Sequence, residues 1–474
     1  MAADFTLPQL DDRVLSTLNS DGTRRWMQPR DARGRYWRAR VGVAITLIAL
    51  FTALPWIRIG GKPAILLDVM TRQFTIFGTT FRSTETLLLA ILMITVFISI
   101  FLITALFGRV WCGWGCPQTV YLEFVYRPLE RLFIGARPMR GGGGAPLWRR
   151  MAMYGTFLLI SAHLANTFLS YFVGTDRMLH WTTGNPSDHP VAFAVFAVTV
   201  ALMLFDFVFF REQLCTLVCP YGRMQSVLLD RNSLIVAYDR QRGEPRARSA
   251  QRKKLEESAH RVGDCIECTM CTQVCPTGID IRDGLQLECI HCAQCIDACD
   301  EVMKRIDKPT GLIRYSSQNR MEGTANTSFR YRLMLYPALL VVMVSTLVLL
   351  LARREQVLIE QERTVGSNFT LRDDGSVETP IRLLIENRTE FARTFTVHGL
   401  ADVAIAGELP RVEVAPASAA SILFVVRTTA ASFGRGSRHG SVLIRDDGGT
   451  EQIEPLSIAG PFNATGPIGS GEER

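Results

Sequence analysis

The chain has 474 residues, 52 Lys and Arg against 45 Asp and Glu for a net charge of +7, and twelve cysteines. That length exceeds what one hydrophobic core usually organises, and the apolar residues fall in long blocks almost free of charge, so a single soluble globular domain is excluded. The basic run from Arg246 to Lys254 has no interleaved aromatics and no nucleic-acid fold signature around it, so nucleic acid is not expected as a partner.

In chain order, residues 1–40 form a basic segment with Arg13, Arg24, Arg25, Arg30, Arg33, Arg35, Arg38 and Arg40. No cleavable signal peptide is expected, because the amino terminus is polar and acidic before its first arginine. Residues 41–210 hold four apolar blocks of near bilayer-spanning length, at 41–56, 86–107, 151–173 and 191–210, and a fifth lies at 333–352. Positively charged short loops stay on the cytoplasmic side. The loop after the second block carries Arg109, Arg127, Arg131, Arg137, Arg140, Arg149 and Arg150, whereas residues 174–190 carry only Arg177 and the loop after the first block holds Arg58, Lys62, Arg72 and Arg82. This predicts a five-span helical bundle with residues 1–40 and an insert at 211–332 in the cytoplasm, and residues 353–474 in the periplasm. Gly141 to Gly144 read as a linker before the third span.

Directly after the second and fourth spans come Cys112-Gly-Trp-Gly-Cys116-Pro117 and Cys215-Thr-Leu-Val-Cys219-Pro220, a duplication that suggests an internal repeat of helix pairs. On helical backbone each pair would put two sulfurs on one face, one turn apart, with the proline beginning or kinking a helix. Together the four thiols make a soft site for Cu(I), zinc or a further iron–sulfur centre; the plainer alternative is that small cysteines pack at helix ends. His163 and Asp206 are ionisable groups within the spans, candidates to assist a metal or carry a proton, against the simpler roles of bonding a neighbouring helix or snorkelling. Met151, Met153, His180 and His189 are weaker candidates for copper.

The insert opens with a charged helical stretch at 248–261 and then carries the pattern Cys265-x2-Cys268-x2-Cys271-x3-Cys275-Pro276, followed by Cys289-x2-Cys292-x2-Cys295-x3-Cys299. This is the bacterial ferredoxin pattern written twice, enough thiolates for two [4Fe-4S] clusters, with the fourth cysteine of each run reaching across to the other cluster. Cys265, Cys268, Cys271 and Cys299 are expected to hold one cluster, and Cys289, Cys292, Cys295 and Cys275 the other. Structural zinc modules separate two Cys-x2-Cys pairs by a spacer and do not run three cysteines at successive x2 intervals. The reading is a ferredoxin module on tethers. Beyond residue 355 short alternating runs at 381–386, 395–398, 403–406, 411–414, 421–427, 441–445 and 454–458 predict an all-β sandwich with no redox chemistry of its own. His398 and His439 read as ordinary surface residues.

Further motifs run through the chain: Arg25-Trp26 with Pro29 and Gly34-Arg35-Tyr36; Lys62-Pro63, Leu66-Leu67-Asp68, Phe74 and Phe77-Gly78; Arg109-Val-Trp-Cys112; Gly263-Asp264-Cys265; Gly278-Ile-Asp280-Ile-Arg282-Asp-Gly284-Leu-Gln286; Ile296-Asp297-Ala298-Cys299-Asp300; and Gly311-Leu-Ile-Arg314-Tyr315. With them the chain resembles the FixG/CcoG/RdxA family of cytochrome c oxidase accessory proteins, membrane polyferredoxins, over residues 25–352. The resemblance implies an Ig-like external domain, two [4Fe-4S] clusters in a bacterial inner-membrane protein, and reduction of Cu(II) to Cu(I) ahead of copper delivery to a cbb3-type oxidase. Asp300 stands where free ferredoxins carry a proline, which removes no ligand but bears on the potential of a cluster. The expected route takes electrons from a cytoplasmic donor to copper, as substrate or transient ligand, near Cys112, Cys116, Cys215 and Cys219, with copper-delivery and oxidase-assembly proteins as partners. Two alternatives stand beside it: a quinol-linked carrier like the nitrate- and nitrous-oxide-reductase maturation proteins, and a copper-binding assembly scaffold without enzymatic activity.

Overall fold

The structure, a computed structural model, describes residues 17, 23–24, 26–71, 73–82, 85–135, 145–248, 252, 262–323, 331–353, 356–362, 369–389, 391–400, 403–416 and 418–462. The four-glycine linker, most of the stretch 248–261, and Arg13, Arg25, Arg72, Arg137 and Arg140 lie outside the described residues.

Among the described residues five helices are long and apolar enough to cross a membrane: Arg35–Trp56, Leu87–Phe107, Leu147–Val173, Pro190–Phe210 and Met334–Ala352. Four agree with the predicted blocks to within a few residues, and the first begins six residues earlier than expected. Its opening turns carry Arg35, Arg38 and Arg40, which a hydropathy argument cuts away. They stay helical because the carboxylate of Asp297 accepts the free backbone N–H groups of Tyr36 (3.2 Å) and Trp37 (2.8 Å), donors that the first turn of a helix leaves without partners. The fourth span ends in a π-helical turn, Phe205–Phe210, that contains Asp206.

Between the first and second spans the chain forms two small antiparallel sheets that the sequence reading did not anticipate, Arg58–Ile59 with Lys62–Pro63 and Ile65–Asp68 with Gln73–Ile76 and Thr79–Arg82. Ion pairs Arg58–Asp176 (2.7 Å) and Arg177–Asp68 (3.2 Å) join this loop to the one between the third and fourth spans, so both lie at one end of the bundle.

The cysteine-rich insert is closed by an antiparallel ribbon, Ile235–Tyr238 with Ile313–Ser316, over a core of Val236, Ile279, Ile281, Ile296, Met303, Leu312 and the cluster cysteines. It is not held by tethers alone. The N–H of Arg30 donates to the Gln273 carbonyl (3.0 Å), and Ala32 packs in one buried cluster with Val274 and Ala298, so the insert is seated on the segment that leads into the first span.

Residues from Val348 onward make a separate unit, an Ig-like sandwich. One sheet runs Ala404–Ala406, Ser418–Thr429, Ser376–Asn387, Val357–Glu362, with Thr370–Leu371 also on Ser376–Asn387; the other runs Arg411–Val414, Arg393–Gly399, Arg435–Asp446, Glu451–Phe462. All seven predicted runs fall on these strands except Val403, which precedes its strand, and Val357–Glu362 and Thr370–Leu371 are additional. Alternating side chains such as Val377, Ile385, Val397, Val426, Val442 and Ile458 are fully buried between the sheets, and each contributes about 1.5–3 kcal/mol by leaving water.

Candidate functional site

Eight cysteines of the insert surround two cavities. Cys265, Cys268, Cys271 and Cys299 line one, together with Tyr238, Met303 and Leu312. Cys275, Cys289, Cys292 and Cys295 line the other, where Cys271 also borders the wall. Each run bends around its cavity by the same device. The residues before and after its second cysteine, Glu267 and Thr269 in one run and His291 and Ala293 in the other, take left-handed backbone with φ between 54° and 61°. Non-glycine residues adopt that conformation only when the surroundings over-determine it, and here it turns successive thiols inward.

Among the described residues no three His, Cys, Asp or Glu side chains gather tightly enough for a single metal ion. Sulfurs spread around a cavity suit a polynuclear cluster instead. Burial pushes the thiols of Cys271 and Cys292 up to about 11 and those of Cys289 and Cys299 up to about 12. Without iron these groups keep their protons at neutral pH, so loading must displace them.

The second set of thiols departs from the expected geometry. Cys112 lies in the helix Val110–Trp114, but Cys116 is extended (φ −65°, ψ 125°) ahead of the helix Pro117–Tyr121. In the other copy Cys215 sits in the π-turn Leu214–Val218, and Cys219 is extended (φ −64°, ψ 109°) ahead of Pro220–Leu228. The two sulfurs of a pair therefore do not share a continuous helical face. The cause is the proline, whose ring disfavours helical backbone in the residue before it and then occupies the first helical position. The copies are nonetheless brought together: burial, the charges of Cys116, Cys112 and Cys219, and that of Asp206 all hold Cys215 protonated, while burial lifts Cys112 to about 11. Cys112 Sγ donates to Gln225 Oε1 (3.0 Å), and Gln225 Nε2 donates to Thr104 Oγ1 (3.1 Å).

Asp206 belongs to this neighbourhood. Its Oδ1 accepts from Gln118 Nε2 (3.1 Å), and its charge bears on Cys116. His163 does not, since it is exposed on the outer face of the third span. Met151 is exposed, and Met153 is buried in an aromatic and aliphatic cluster with Tyr126 and Phe157. His180 and His189 meet ring to ring at 5.7 Å in the loop between the third and fourth spans, and His398 Nε2 bonds to neighbouring Thr396 Oγ1 (3.2 Å).

The two sets of cysteines meet. Cys112, Ile290, Cys292 and Tyr221 form one buried apolar cluster. A Cβ on Gly113 would collide with the Ile290 carbonyl oxygen and stand 2.9 Å from the Cα and N of Cys292, so the close approach of these two backbones requires glycine. The backbone N–H of Arg109 donates to His291 Nδ1 (3.2 Å), its guanidinium to the Leu287 carbonyl, Trp114 Nε1 to the Tyr315 hydroxyl (3.2 Å), and that hydroxyl to the His291 carbonyl (2.6 Å). The sequence puts the duplicated thiol pair beside the ferredoxin runs as an outlet but does not identify the contact of Gly113 with Cys292. The small residue between Trp111, Cys112 and Trp114 was its only trace.

Comparison with known proteins follows these features. Residues 210–318 match a family described as a 4Fe-4S dicluster domain, residues 89–135 a 4Fe-4S binding domain, and residues 347–461 the IG-like fold at the C-terminal of FixG. The chain is 35% identical over 327 residues to nitrogen fixation protein FixG of Rhizobium meliloti, an alignment that covers 66% of this chain and spans 62% of that protein's length. It is 32% identical over 388 residues to protein RdxA of Cereibacter sphaeroides (77% of this chain, 80% of the relative) and 33% identical over 403 residues to protein RdxB of the same organism (80% and 83%).

Proposed function

We infer that this chain, which belongs to the FixG/RdxA family of iron–sulfur electron-transfer proteins, is a membrane-bound cupric reductase serving the assembly of a cbb3-type oxidase. The observation that carries this reading is the packing of Cys112 against Cys292, which joins a thiol set suited to a soft metal directly to one of the two cysteine-lined cavities.

The proposed ligands are Cys265, Cys268, Cys271 and Cys299 for one cluster and Cys275, Cys289, Cys292 and Cys295 for the other. When bound, the [4Fe-4S] clusters supply single electrons from a one-electron donor in the cytoplasm. No three of Cys112, Cys116, Cys215 and Cys219 gather for one ion, so the copper substrate is held by a pair of them: Cu(II) gains one electron there and becomes Cu(I), and thiolate favours the reduced ion, so the ligands assist the reaction thermodynamically. Gly113 keeps the seam to Cys292 short, and Gln225 accepts the Cys112 proton bond until metal displaces it. The basic loops support an inner-membrane topology with the insert cytoplasmic and residues 353–474 periplasmic, where the sandwich would meet copper-delivery and oxidase-assembly partners. The match of residues 89–135, which contain Cys112 and Cys116, to a 4Fe-4S binding domain favours a second reading in which these thiols hold a further iron–sulfur centre.

One experiment tests both. The purified protein, reduced anaerobically, is mixed with Cu(II) while cluster reoxidation and chelated Cu(I) are followed, alongside a variant with serine at Cys112, Cys116, Cys215 and Cys219. Stoichiometric Cu(I) from the unsubstituted protein, none from the variant, and equal iron in both support copper reduction. Unchanged copper reduction by the variant overturns the site, and iron lost in the variant supports the second reading.

A further inference from the structure

The most unusual buried group in the chain is a cation. Arg40, in the second turn of the first span, is fully buried. Its Nε donates to the Gly113 carbonyl (2.9 Å), and its guanidinium lies 5.2 Å from the centre of the Phe124 ring. Both Nη atoms are buried with no hydrogen-bond partner, and among the described residues no carboxylate pairs with it. Burying an arginine in this way costs more than one hydrogen bond and one aromatic face return, unless a negative charge stands nearby. The Gly113 peptide it grips lies against the backbone of Cys292.

We propose that Arg40 is a redox-tuning residue, whose buried guanidinium offsets the negative charge of the iron–sulfur centre bound at Cys275, Cys289, Cys292 and Cys295 and raises the midpoint potential of that centre relative to its twin. The proposal rests on the ligand sets given above. Four thiolates leave such a centre net negative, and reduction adds one more negative charge, so a fixed cation stabilises the reduced form more than the oxidised one. Glu123, next to the Phe124 ring that Arg40 faces, is engaged by Arg127 and forms no ion pair with Arg40. The other cavity differs, because its nearby arginine, Arg282, is paired with Asp280. The second centre therefore faces an unpaired fixed cation where the first faces a paired one, which makes the centre beside Cys112 the more oxidising and builds in the direction of electron flow.

The test is an anaerobic potentiometric titration, read by electron paramagnetic resonance, of the full-length loaded protein and its Arg40→Gln and Arg40→Lys variants. Gln is expected to shift the reduction equilibrium of one centre roughly tenfold toward the oxidised form, about 59 mV for one electron, with the other centre unmoved and Lys recovering most of the shift. Loss of one centre's iron in Gln but not in Lys supports the proposal equally, since charge then decides whether the centre is held. Loaded centres with unmoved potentials in Gln, or identical behaviour of Gln and Lys, overturn it. If the unsubstituted protein lacks two four-iron centres, the ligand sets fall and take this proposal with them, an outcome distinct from loaded centres with unmoved potentials.

Discussion

Gly113→Ala probes the seam between the two cysteine systems. The added methyl would collide with the Ile290 carbonyl and lie 2.9 Å from the Cα and N of Cys292. All the obstructing atoms are backbone, so no flexible side chain can swing aside, and the loop carrying Cys112 must back away from the loop carrying Cys292. Overpacking of this kind costs about 1–3 kcal/mol. Taken as a bias against the docked arrangement, the same energy is a factor of about 5–150 in its population. Gly155→Ala is the matched control, because a Cβ there meets nothing within 4 Å and Ala gains up to about 1 kcal/mol over Gly inside a helix. In anaerobic stopped-flow mixing of reduced protein with Cu(II), the Gly113 variant should reoxidise several-fold more slowly at unchanged iron content, and the Gly155 variant at the unsubstituted rate. A Gly113 variant with full iron and an unsubstituted rate would refute the seam as the route.

Asp297→Ala removes the acceptor for the Tyr36 and Trp37 N–H groups; a loss of about 1 kcal/mol is expected, read as a lower temperature of cluster release, with Asn intermediate. Metal loading at the membrane-end thiols should strengthen with pH, because burial lifts Cys112 to about 11 and each bound thiol releases a proton; competition titrations against a Cu(I) chelator at pH 6.5 and 8 should show up to about tenfold per pH unit per thiol. Burial, with Arg109 adding to it, lowers His291 to about 3 against 6.5 unfolded, so the unfolded state binds the extra proton between these values. Stability should therefore fall as pH drops from about 6.5 toward 3, at up to about 1.4 kcal/mol per unit, and His291→Asn should flatten that slope in acid-induced iron release.

Much of the architecture was legible because its signals are local. Long apolar blocks, repeated cysteine spacing and strand alternation each need only a window of residues, and the spans, cavities and most strands follow from them. The misreadings have physical causes of another kind. The shared sulfur face depends on helix running through both Cys-x3-Cys pairs, yet Cys116 and Cys219 each precede a proline and are extended, while Pro117 and Pro220 do begin helices. Arg35, Arg38 and Arg40 were placed before the first span because hydropathy discounts charge, and only the contact with Asp297, some 260 residues away, shows why they belong to the helix. Gly113 is one small residue beside Trp111 and Trp114, and nothing local says that Cys292 lies against it.

The arginines that argue for topology also do structural work, and their pairing separates two kinds of buried charge. Arg127 and Glu130 follow the first cysteine pair, and Arg211 and Glu212 precede the second. They bond crosswise, Arg127 to Glu212 (3.0 Å) and Arg211 to Glu130, while Glu123 completes Arg127 and Arg24 reaches Glu212 (3.2 Å). Three arginines thus meet three glutamates in a balanced network that clamps the ends of the second and fourth spans together and, through Arg127 to the Pro276 carbonyl (3.4 Å), touches the chain just past Cys275. A neutral network positions but creates little net field. Among the described residues Arg40 has no such carboxylate, and it lies at the seam itself. If orientation in the membrane were its only role, an exposed arginine in the preceding segment would serve without the cost of burial. Its burial at the seam is accounted for by a negative partner on the Cys292 side, and this separates a charge that holds the scaffold from one that acts on the electron.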